Sequence, residues 1–109
     1  TYPEDWTKSF YGARDALSNL LTYGDVSEKD KAAAKADYAA LQKDIMKEFA
    51  EMKAAVAAAD TKEAKQAAAT TASNKMSEKV YEKTVKMYNK LQKKQEARAW
   101  FGSLLNKNS

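Results

Sequence analysis

The 109-residue chain contains no His and no Cys, and holds 3 Gly and 1 Pro. Without His or Cys it lacks the commonest general base, the thiol nucleophile and the usual soft or imidazole metal ligands. Disulfides are excluded, so cysteine usage says nothing about compartment. No apolar run approaches the roughly 18 residues of a membrane-spanning helix, and the chain is expected to be soluble. No Gly-rich phosphate loop and no calcium-loop pattern occurs. The carboxylates Asp37, Asp44 and Glu48 stand at helical spacing among lysines, as on a solvated face. We therefore expect no enzyme, no cofactor and no metal.

Between Asp25 and Phe101 run 77 consecutive residues free of both Gly and Pro, with Ala the commonest among them. Gly and Pro cost about 1 and about 3 kcal/mol against Ala in a helix interior, so such a stretch is helical nearly throughout. Four helices are expected, at about 4–23, 28–59, 61–95 and 97–105. In the first, Trp6, Phe10, Ala13, Leu17 and Leu20 form one packing stripe, ended by Gly24 in the left-handed position past a helix end. Ser27 opens the second, in which Tyr38, Leu41, Ile45, Phe49, Met52 and Val56 repeat at three- and four-residue intervals. Asp60-Thr61-Lys62-Glu63 reads as a capping box opening the third. That helix starts on small residues and gains bulk at Met76, Val80, Met87 and Leu91, with Tyr81, Val85 and Tyr88 on an adjoining strip. Its weakest part is Thr70 to Asn74. A short cluster of Trp100, Phe101, Leu104 and Leu105 around Gly102 follows.

The expected fold class is all-α: one domain over 1–109, an up-and-down antiparallel bundle of three long helices plus a short C-terminal fourth. The second helix, about 48 Å, exceeds the first, about 30 Å, at 1.5 Å per residue. Part of the longer hairpin must therefore project, be covered by the C-terminal cluster, or face a partner.

Charge is unevenly placed. The formal net charge is +4; residues 1–82 carry 12 Lys/Arg against 14 Asp/Glu, and residues 83–109 carry seven against one. Lys75, Lys79, Lys83, Lys86, Lys90 and Lys93 make one ridge along the third helix. It is either the solvated back of an amphipathic helix or a docking strip for an acidic surface, weakened by salt. Nucleic acid is disfavoured, because the ridge lacks interleaved aromatics and any recognition motif, and so is adsorption to a membrane surface, because the bulky apolar residues are expected to pack the bundle. The candidate partner-binding residues are Lys79, Lys83, Lys86, Lys90, Lys93 and Arg98 for electrostatic contact, with Trp100 and Phe101 either closing the bundle end or anchoring a partner. Tyr11 and Tyr23 fall off the stripe as half-exposed contacts.

The order of features resembles the PsbQ-type extrinsic subunits of photosystem II, including the four-helix extrinsic subunit of diatoms and related algae. The likeness lies in the Lys-rich start Glu28-Lys29-Asp30-Lys31, a long helix carrying Leu41 and Phe49, and an Ala-rich end. A cap followed by Glu63-Ala64 then leads into the last long helix, and a Trp6-bearing helix comes before. The resemblance implies a non-catalytic subunit peripheral to the thylakoid membrane, in the lumen of the chloroplast thylakoid. It would dock on acidic surfaces of the photosystem II core or other extrinsic subunits and stabilise the oxygen-evolving centre. The residues alone leave open an accessory subunit of photosystem I or of a mitochondrial complex, or a basic nucleic-acid-binding helical module.

Overall fold

The computed structural model describes residues 10–107, with side chains from 12 to 105. Three helices make up the described chain: α1 (Phe10–Tyr23), α2 (Glu28–Ala58) and α3 (Lys62–Lys107). The expected start of the first helix near Glu4, and the core roles of Trp6 and Phe10, fall outside these residues and side chains.

Each junction has a local cause. The Leu20 carbonyl accepts from the Gly24 N–H at 2.9 Å and ends α1. Gly24 does not take up positive φ, contrary to the expectation from sequence. It is Gly because of crowding: a Cβ would strike the Leu20 carbonyl oxygen and come within 2.6 Å of Leu20 Cδ1 and 2.9 Å of Gln95 Oε1. Ser27 caps α2 as expected, its Oγ accepting from the Asp30 N–H at 3.2 Å and donating to Asp30 Oδ2 at 3.0 Å. The α2–α3 turn needs no glycine, since Ala59 turns the chain in an extended conformation at φ −73°, ψ 140°. Thr61, rather than Asp60, caps α3: its Oγ1 accepts from the Ala64 N–H at 3.0 Å. Lys65 Nζ reaches back 2.8 Å to the Val56 carbonyl at the end of α2, which also accepts from the Ala59 N–H at 3.3 Å.

α3 is one helix of 46 residues. The short fourth helix expected at 97–105 is therefore not separate; its residues are the last turns of α3. Between Gln92 and Ala99 every residue is a good or fair helix former and none can start a new cap, so nothing stops the helix. One Gly, Gly102, costs about 1 kcal/mol there and does not break it. The Thr70 to Asn74 stretch is helical too, because its polar residues are only a few tenths of a kcal/mol poorer than Ala and good formers flank them.

α2 and α3 form a long antiparallel hairpin, and α1 lies along the end where α2 begins and α3 finishes its packed length. The molecule is a rod of 72 × 26 × 15 Å with a radius of gyration of 18.9 Å. A compact chain of this length would have about 13 Å. The core joins Ala16, Leu17 and Leu20 of α1 to Ala34 and Leu41 of α2 and Met87, Tyr88 and Leu91 of α3, with Val26 of the connection. α3 has two neighbours and carries two apolar strips to match. Val80, Met87 and Leu91 line grooves shared with α2, and Tyr88 on the adjoining strip joins the core with the α1 residues. Toward the α2–α3 turn, among the described residues, α1 no longer accompanies the hairpin, which forms a two-helix arm. At the opposite end α3 overhangs alone beyond the α1–α2 connection.

Candidate docking face of α3

Five lysines of the expected row, Lys75, Lys83, Lys86, Lys90 and Lys93, are exposed on α3. Lys79 is not free. Its Nζ donates to Glu48 Oε1 of α2 at 3.0 Å, with side chains 29% and 21% exposed. The bond to Glu48 raises the Lys79 pKa; partial burial opposes it, and the charges of Glu48, Asp44 and Glu51 add to it. Arg98 is also engaged: its Nε lies 3.0 Å from Asp25 Oδ1, while the Asp25 N–H donates to Gln95 Oε1 at 2.9 Å. Both expected contact residues thus do internal work, Lys79 tying the arm together and Arg98 with Gln95 clamping the α1–α2 connection to α3.

The row borders the α2–α3 seam. One shallow groove there is lined by Asp30 and Asp37 of α2 with Lys90 and Lys94 of α3. The next is lined by Asp37 and Asp44 with Lys83 and Lys86. Asp30, Asp37 and Asp44 repeat every seven residues, close to two helical turns, so they stack on one side of α2. They lower the potential along that edge of the row without forming ion pairs. Among the described residues, Lys79 is the one lysine of the row in an ion pair.

Trp100 and Phe101 do not close the bundle. They are 61% and 58% exposed, in edge-to-face contact with ring centroids 4.8 Å apart, and Leu104 and Leu105 beside them are also exposed. The continuity of α3 fixes where they point. Seven residues is close to two turns, with a drift of about 20°. Lys86, Lys93 and Trp100 therefore stack; so do Lys90, Ala97 and Leu104, and Lys94 stacks with Phe101. The cations and the exposed aromatics fall within an arc of about 120°, opposite the core position Tyr88 and bordered on the α2 side by Met87. Arg98 lies about a quarter-turn off it, at 100° per residue.

Sequence reasoning left Lys94, Leu104 and Leu105 out of the contact set. The seven-residue offset that includes them was present in the chain, but it has meaning only once residues 92–99 are known to be helix. Among the described residues no three carboxylates gather as a metal site would need. No described helix is long and apolar enough to cross a membrane. No protein-family model, no curated protein and no solved structure matches this chain.

Proposed function

We propose that this chain is a non-catalytic accessory subunit that docks peripherally on a larger, membrane-embedded assembly through the outer face of α3. Lys83, Lys86, Lys90 and Lys93 meet an acidic surface, with Trp100 and Phe101 as the anchors of its C-terminal end. A single observation carries the reading: the unbroken register of α3 aligns the cationic row with two exposed aromatic rings that the fold itself leaves unburied. Exposed aromatics beside a cationic strip combine the two ingredients of a specific peripheral contact, a buried anchor and electrostatic steering. The resemblance drawn from sequence supplies the first assembly to test, the lumenal face of photosystem II, with stabilisation of the oxygen-evolving centre as the role.

The test is retention on isolated membranes. The protein should wash off at about 1 M salt, where the screening length is about 3 Å. The double reversal Lys86→Glu/Lys90→Glu should lower retention at least about tenfold at low salt, at about 1 kcal/mol or more per cation, while helicity by circular dichroism is unchanged. Retention through the salt wash, or reversal variants that bind like the parent, would refute the electrostatic dock.

A further inference from the structure

We infer that the last turns of α3 seat in the interface of an anionic lipid bilayer, giving the docking face a membrane surface as well as a protein to rest on. This rests on the reading above that the lysine-and-aromatic face is the docking face. Beyond Arg98 no other described helix accompanies α3, and Trp100, Phe101, Leu104 and Leu105 are 61%, 58%, 42% and 70% exposed. At 100° per residue they and Ala97 cover an arc of about 140°. No Asp or Glu stands between Ala97 and Leu105, while Lys93 and Lys94 precede Trp100 and Phe101 by seven residues each and Arg98 borders one edge. An apolar arc with cations at its border is the arrangement of a helix lying in a membrane interface: rings and aliphatic groups sit at the acyl boundary and long basic side chains extend to lipid phosphates. Trp is a side chain enriched at that depth.

The overall geometry favours a planar anionic surface. α3 is a single 46-residue helix in a rod 72 Å long, so lysine row and apolar end present themselves along one line. Four large side chains give weak, reversible attachment by themselves; the adjacent lysines supply the second signal that such anchoring needs.

The experiment uses the full chain with Trp6→Phe, which leaves Trp100 as the one tryptophan. It is titrated with vesicles of neutral phosphatidylcholine and with vesicles containing roughly one-third phosphatidylglycerol. On the anionic vesicles Trp100 emission should shift to the blue and be quenched by brominated acyl chains; on neutral vesicles both effects should be far smaller. Phe101→Ser/Leu104→Ser should lower partitioning at least about tenfold, and Lys90→Gln and Lys93→Gln about fivefold each, with helicity retained in every variant. No shift on anionic vesicles overturns the inference. So does a shift that grows with protein concentration without vesicles, which would identify a second copy as the occupant. If vesicles fail while salt-sensitive retention on isolated membranes persists, the lipid contact alone falls and the protein dock stands.

Discussion

The three-helix body and the two-helix arm are built from the same pair of long helices, yet they bury very different surfaces. Among the described residues, every buried side chain falls between Ala13 and Leu41 or between Thr84 and Leu91. None falls in the arm, where Phe49 remains 45% exposed although it continues the stripe that buries Leu41. The amphipathic pattern is the same in both places; the difference is the presence of α1. Two helices bury one strip each against the other, and where the half-buried residues of α3 are Ala68, Ala69 and Ala72 there is little area to remove from water. The arm is held by its ends and by polar contacts instead: the Thr61 cap, the Lys65 bond to the Val56 carbonyl and the Lys79–Glu48 pair. Hydrogen exchange should therefore find the arm opening locally at lower free energy than the body.

The widest separation between the two regions should come from core truncation. Leu91→Ala, at a site 3% exposed, should cost about 2–5 kcal/mol in chemical denaturation and loosen the whole molecule. The corresponding change in the arm, Val56→Ala, should cost under about 1 kcal/mol and be visible chiefly as faster exchange within the arm. Equal costs would erase the distinction.

A smaller effect of opposite sign should come from Thr84, fully buried with a hydroxyl that finds no partner. Thr84→Val keeps the shape and removes the unsatisfied group. It should stabilise the body by about 1 kcal/mol in thermal or urea unfolding; a loss of stability would mean that the hydroxyl is satisfied after all.

Smaller still, and confined to the arm, is a pH effect. The Lys79 pKa is raised in the folded state. Its contribution is thus complete below the unfolded value of about 10.4 and lost as pH climbs through the higher folded value. Between neutral pH and about 9 the arm's exchange protection, corrected for intrinsic rates, should be flat; further into the alkaline range it should fall, and Lys79→Met should abolish that fall.

Much of the helical architecture could be read from composition and periodicity, because the stripes at Leu17, Leu41 and Leu91 and the cap at Ser27 depend on neighbours a few residues apart. What escaped reading depends on residues far apart. The need for Gly at position 24 comes from crowding that includes Gln95, and the occupation of Arg98 by Asp25 joins residues on different elements. Likewise, the acids beside the lysine row belong to α2 and become its neighbours only when the hairpin closes. The expected break before Ala97 is absent for another reason: the change from charged to apolar residues there is not a change of element. It is a change in what one helical face presents once no other described helix accompanies it.

The account turns on α3 being continuous through residues 92–99, since this alone puts the lysines and the aromatic rings on one face. With no native cysteine, spin labels can be placed cleanly at Glu82→Cys and Ser103→Cys, both exposed positions. Pulsed dipolar spectroscopy should give one narrow distance distribution near about 32 Å, the rise of 21 residues at 1.5 Å each. A main peak below about 20 Å, as a fold-back after Gln95 would give on the same rise per residue, would contradict it and separate the rings from the row.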